Sequence, residues 1–288
     1  MSPYLAAFEC LVYGLFTACL VSAFRRGRFE ALELVWTGLY GFLLEWMTIK
    51  LLHAYQYGQF AVMLDGAPLA VALGWAVIIY TGMRFSSRVG LPEATRPVLD
   101  ALMALNVDLA LDAIAVRLGM WAWSGVALDQ QWFGVPWGNF WAWFLVVWSY
   151  SAFLRALRPW RGKPVRRWLY PPVAVALSLF VLAVGGGVSR FVVDKETQGL
   201  TSVLLLAGCV ATVWSLKPRI DDRGPTERIV TAAPLVFHGF ALVTGLTSGI
   251  FSRQPALAAV GLAMLAVSLF IHGWPWKPHG RSLPQLPR

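Results

Sequence analysis

The sequence predicts an all-α protein, a polytopic membrane bundle of about nine transmembrane helices, with eight as the other count it allows. Three observations carry this. The chain of 288 residues is 58% hydrophobic and only 14% charged, where a soluble domain carries roughly 25% charge, and its mean hydropathy is +0.60. Apolar runs long enough to cross a bilayer, about 20 residues each, recur along it. Lys and Arg gather in every second connection between those runs, as the positive-inside bias produces.

Taken in order, the runs cover residues 4–24, 33–53, 67–83, 97–118, 137–155, 170–189, 199–216, 230–250 and 255–272. The N-terminus, MSPYLAAFEC, lacks a basic n-region, so the first run reads as a retained helix and not as a signal peptide. The first, third, fifth and seventh connections and the tail hold three, three, six, four and three Lys and Arg, while the even-numbered connections hold Arg190, Lys195 and Arg253. That asymmetry places the N-terminus outside and the C-terminus in the cytoplasm of a cell membrane. Pro234 and the short connection after span eight are where the count could change. Residues 1–272 form one transmembrane domain, and 273–288 a short Pro-rich cytoplasmic tail.

The net charge of +9 lies in these clusters and not along one face, which argues against a nucleic-acid partner. Cys10, Cys19 and Cys209 sit inside apolar runs with neither metal-type nor disulfide spacing. Gly245 with Gly249, and Gly185 to Gly187, leave bare helix faces that suit close packing.

Polar residues in the runs gather at one depth, the outer half. Asp108 and Asp112 lie four apart in span four and so share a helix face. Two carboxylates this close in a low dielectric cannot both ionise easily, which leaves a protonated acid beside a carboxylate, the equipment of general acid–base catalysis. The structural alternative is an ion pair with Arg117. Glu45, in span two, has only Lys50 near it at helical spacing, and an intramembrane carboxylate is costly enough to count as a functional candidate; a helix–helix hydrogen bond is its bland reading. His53 at a helix end reads also as an interfacial residue, and His238 and Glu9 as packing or hydrogen-bonding groups. Of the fifteen Trp, those near span ends such as Trp36, Trp160 and Trp168 fit an interfacial belt. Trp121, Trp123, Trp132, Trp137, Trp141 and Trp143 crowd the carboxylates, where ring faces can hold a flat polyene or a cation, although interfacial anchoring explains them equally.

The same region resembles the carotenoid-biosynthesis membrane family that includes the bacterial and archaeal carotenoid hydratases. The likeness rests on Asp108-x-x-x-Asp112, then Gly119-Met120-Trp121-Ala122-Trp123, then Phe133-Gly134-Val135-Pro136 through Asn139-Phe140 to Trp143; Glu45, Tyr57, Pro68 and Trp75 follow the family order more loosely. Together these cover about residues 35 to 155. The chain departs from the pattern at Ala113, where a proline is usual, and at Trp137-Gly138 and Ala142.

What the resemblance implies is hydration of the terminal double bond of an acyclic carotenoid to a tertiary alcohol. Such a reaction needs an acid, a cation-tolerant pocket and a base for water, and it requires neither a redox cofactor nor a metal. Asp108, Asp112 and Glu45 are the expected catalytic groups, and Trp121, Trp123, Asn139, Trp143, Tyr57, His53 and Trp132 the expected substrate contacts. The expected partners are a lipophilic carotenoid, membrane lipid and other enzymes of the carotenoid pathway. Two other readings stand beside this one. An intramembrane prenyltransferase would use Asn106, Asp108 and Asp112 to hold magnesium diphosphate, but its motifs come in two cytoplasmic sets and Asp221-Asp222 stand alone. A transporter or pigment-assembly protein would use the carboxylates as a proton relay, and no inverted repeat is evident.

Overall fold

The computed structural model describes residues 2–192, 197–219 and 227–273. Its long helices are α1 (Pro3–Arg26), α2 (Arg28–Lys50), α3 (Leu69–Ser86), α4 (Arg96–Arg117), α5 (Trp137–Leu157), α6 (Arg166–Val192), α7 (Gln198–Ser215), α8 (Arg228–Thr247) and, after the short α9 (Ile250–Arg253), α10 (Pro255–Gly273). The expected tail from residue 274 on, with Trp274 and Trp276, lies outside the described residues, as do Asp221 and Asp222.

Local chemistry sets the helix ends. Ser2 accepts the Tyr4 N–H at 3.3 Å and Pro3 opens α1, the arrangement that satisfies free donors at a helix start. Gly27, with φ 138° and ψ 157°, is the single residue between α1 and α2; a side chain there would be strained, so this glycine allows a one-residue joint. Pro136 precedes α5. α8 continues through Pro234 despite the hydrogen bond that proline cannot donate. The small-residue pair expected to allow close packing lies where this helix ends. α8 stops at Thr247, Gly249 adopts a left-handed φ of 71° as it turns into α9, and Gly245 receives the Phe251 ring of α9.

Among the described residues, seven helices are long and apolar enough to cross a membrane by length and composition. The chain is a multi-pass membrane protein. The two long helices outside that group, α2 and α4, carry Glu30, Glu33 and Glu45, and Asp100, Asp108 and Asp112. Most of these carboxylates are buried, so the helices that look least like membrane spans are those with polar groups turned inward. α3 is central and mostly buried, whereas α7 is mostly exposed and lies at the periphery. α2 packs on α3, α4 on α3 and α5, and α8 and α10 close over α4. At Gly41 on α2 a Cβ would lie 2.6 Å from the Ala72 carbonyl and 2.8 Å from Trp75 Cβ, so only glycine permits this approach of α2 to α3.

The two ends of the bundle differ. One end, where α1, α3 and α5 finish, is rich in arginine. There Arg155 meets Asp100 at 3.0 Å, Arg158 meets Glu33 at 2.8 Å, Arg161 meets Glu30 at 3.2 Å, and Glu227 before α8 receives Arg26 at 2.8 Å and Arg84 at 2.9 Å, with Ser22 as a further donor. The other end carries short strands that an all-helical reading misses: β1 (Tyr55–Tyr57), β2 (Met63–Leu64), β3 (Ala67–Pro68) and β4 (Trp121–Trp123). β2 and β3 form a small hairpin after α2. β1 pairs antiparallel with β4, setting Tyr55 opposite Trp123 and Tyr57 opposite Trp121.

Candidate active site

The β1–β4 pair brings the second and fourth connections together over the ends of α2, α3, α4 and α5. On a strand, residues two apart share a face, so Tyr55, Tyr57, Trp121 and Trp123 present their rings on one side. Tyr55 and Trp123 stack edge-on at 4.7 Å between centroids, and Tyr57 and Trp121 at 5.9 Å.

Beneath this wall lie two carboxylate centres. The first is Glu45. Its Oε2 accepts the Tyr55 hydroxyl at 2.5 Å and the Tyr57 hydroxyl at 2.7 Å, and its Oε1 accepts the Trp75 indole N–H at 2.7 Å. Trp75 in turn packs on Trp143 at 4.1 Å, joining α3 to α5. Burial, and then the Glu45 charge, hold both phenols well above the usual tyrosine range, so both remain protonated donors.

The second centre is the acid pair on α4. Asn139, on the first turn of α5, donates through Nδ2 to Asp112 Oδ2 at 2.7 Å and to Asp108 Oδ2 at 3.2 Å. The Trp121 indole N–H donates to Asp112 Oδ1. Both oxygens of Asp112 therefore accept hydrogen bonds, as an ionised carboxylate does. Asp108 Oδ1 is buried and without a partner among the described residues, so it is the oxygen free to carry a proton toward a ligand. Tyr57, bound to Glu45, packs against Trp121, bound to Asp112. The two centres thus share one aromatic wall.

Arg117 does not neutralise this pair. Its guanidinium donates to the carbonyls of Ala113 at 3.1 Å, Phe133 at 2.5 Å and Leu128 at 2.7 Å, and so fastens the connection between α4 and α5. Gln131 and Phe133 in that connection hold left-handed φ angles of 52° and 50°, backbone strain of a kind that clusters at functional sites.

Of the expected residues, Asp108, Asp112, Glu45, Tyr57, Trp121, Asn139 and Trp143 fall within the connected site. Trp132 packs on Trp137 at 5.5 Å and gives its indole N–H to the Leu109 carbonyl at 3.0 Å, supporting α4 beside the pair. Trp123 has a buried indole N–H without a partner among the described residues. His53 stands apart: its side chain is exposed and its carbonyl accepts the Ser124 hydroxyl at 2.8 Å. Glu9 takes the N–H groups of Ala61 at 3.0 Å and Val62 at 3.3 Å and clamps the loop before β2. His238 hydrogen-bonds Asn106 at 2.9 Å. Tyr55 and Trp75 are the two donors missing from the expected site. Tyr55 was legible as the residue two before Tyr57, and Trp75 as a member of the motif order.

Comparison with known proteins adds a family. The family model described as carotenoid biosynthesis protein matches residues 10–207, a stretch that holds the whole of this site. No curated protein and no solved structure matches the chain.

Proposed function

The chain belongs to the carotenoid biosynthesis protein family and acts in carotenoid biosynthesis, and on that premise we propose that it is a hydratase adding water across the terminal double bond of an acyclic carotenoid. The observation that carries this reading is the acid pair itself: two buried carboxylates bridged by a neutral amide, with Arg117 turned to backbone carbonyls. Such a pair holds one proton between two acids at low dielectric cost, a resting state from which a proton can be delivered and recovered.

In the proposed reaction, Asp108 Oδ1 gives its proton to the CH carbon of the terminal double bond and leaves a tertiary carbocation at its dialkyl-substituted neighbour. Water adds at that cationic neighbour, and its surplus proton passes to the Asp112 carboxylate; exchange between the two acids restores the starting state. The sum is alkene plus water giving tertiary alcohol. The indole faces of Trp121 and Trp123 stabilise the cation through the ring quadrupole. Glu45, with both oxygens occupied by aromatic donors, serves as a positioning residue that holds Tyr57 against Trp121. The polyene enters sideways from the lipid. By the charge asymmetry the site faces the outside of the cell membrane, with the arginine-rich end in the cytoplasm.

The test is expression of the full chain in a lycopene-producing bacterium, with mass analysis of the extracted pigments. Pigment carrying added water is the expected result. Pigment unchanged, with the protein present in the membrane, would sink the hydratase reading.

A further inference from the structure

α4 carries a second polar centre on its other face. Asn106 stands two residues before Asp108, roughly 200° around the helix, and turns toward α8 and α10. Its Nδ2 donates to the Met264 carbonyl at 3.0 Å, which fixes the amide's orientation, and Oδ1 then accepts from His238 Nε2 at 2.9 Å. His238 is therefore the Nε2–H tautomer, with Nδ1 a buried lone pair and no partner among the described residues.

Beside this linkage a cavity of about 20 Å³ lies between α3, α4, α8 and α10. A water-sized group needs roughly 10–15 Å³, so the cavity admits one such group. Its wall includes Ile78, Met103, Phe237 and Ile271, and among the described residues no charged side chain. Two polar atoms in its lining have no partner among the described residues: Ser268 Oγ, on a residue 2% exposed, and His272 Nδ1. Ser268 and His272 are four apart on α10 and share a face. Buried polar atoms left unpaired are costly, and native proteins rarely tolerate two together without an occupant.

We propose that this cavity is a binding site for a neutral hydroxyl group, separate from the acid pair. One O–H group meets both demands, since it donates and accepts at once, whereas a charged head group would find no counter-charge. The hydroxyl has two possible sources: the head of a long-chain lipid alcohol whose apolar chain lies along the helices, or a single water.

The test uses the full-length protein in phosphatidylcholine nanodiscs and two photoreactive probes, a diazirine-bearing hexadecanol and its methyl ether. A lipid alcohol as occupant predicts that the alcohol labels peptides of α8 and α10 about fivefold more than the ether, the worth of one hydrogen bond. Ser268→Ala should cancel that preference, while Asp108→Asn leaves it intact. Water as occupant predicts equal labelling by both probes together with a water-proton cross-peak to the His272 ring in nitrogen-15 spectra, lost in Ser268→Ala. Equal labelling with no cross-peak means a dry cavity and overturns the proposal. The comparison of alcohol with ether and the water cross-peak are both read on the unaltered chain, so the outcome does not depend on a variant folding.

Discussion

The arginine-rich end and the aromatic end both bury carboxylates, and they treat them in opposite ways. Asp100, Glu33 and Glu227 are each met by a guanidinium within 3.0 Å. Glu45, Asp108 and Asp112 are met by indoles, phenols and one amide, all neutral. A cation beside a buried carboxylate fixes it as an ion and ties helices together. Neutral donors orient a carboxylate and leave its proton open to exchange. The contrast separates acids tied into ion pairs from acids that only neutral donors hold, and it does so within single helices: α2 carries Glu33 and Glu45, α4 carries Asp100 and Asp108.

Four tests would break or sharpen that division. The largest effect is expected at the acid pair: Asp108→Asn should lower the yield of hydrated pigment by at least about 10²-fold, the lower bound for a lost general acid. It should do so without lowering the thermal midpoint, because the amide keeps both the shape and the neutrality of the protonated acid it replaces. Hydrated pigment at the unaltered level would refute the role. Next, Arg155→Ala strands Asp100 and should cost about 3–5 kcal/mol of stability, the toll of breaking a buried pair. Unfolding in mixed detergent would read it, and an unmoved midpoint would mean that the arginine-rich end is not structural in the sense drawn here. Smaller again, Trp121→Phe keeps a ring over the pair and removes only the N–H to Asp112. A bond to a charged group is worth about 1.5–3 kcal/mol, so a rate loss of tenfold or more is expected; no loss would detach Asp112 from the base role.

The smallest effect is a matter of pH. Tyr55 and Tyr57 have folded pKa values raised above the ordinary 10.0 by burial and then by Glu45. Above that value the unfolded chain releases phenol protons that the folded chain keeps, so stability is full below pH 10.0 and falls as pH rises beyond it. Tyr55→Phe and Tyr57→Phe should each flatten the alkaline limb of a stability profile. An unchanged slope would show that the phenols are not held by Glu45.

Helices were legible wherever burial in lipid demands a long apolar run. α1 differs from its expected bounds by a residue or two at each end, and span eight overran only where Gly249 turns the chain into α9. Asp108 and Asp112 were legible because their spacing is a property of one helix. Their surroundings were not. Asn139 and Trp121 reach Asp112 from other elements, and strands three residues long, paired across 66 residues of chain (Tyr55 with Trp123 is 68 apart, Tyr57 with Trp121 is 64), leave no periodic signal. Arg117 misleads for a related reason. Five residues from Asp112 is about 140° around the helix, and the carbonyls of the α4–α5 connection capture its guanidinium first.

The pairing of β1 with β4 also sets a schedule for biogenesis. Its two strands leave the ribosome on either side of α3 and α4, so the sheet cannot form until both helices have been made. Until then Tyr55 and Tyr57 have no strand to hold them over Glu45, and Asp112 has no Trp121; Asn139 arrives later still, with α5. A nascent chain therefore holds its acids before it can aim them, and the proposed centre comes into being only as the fifth helix docks.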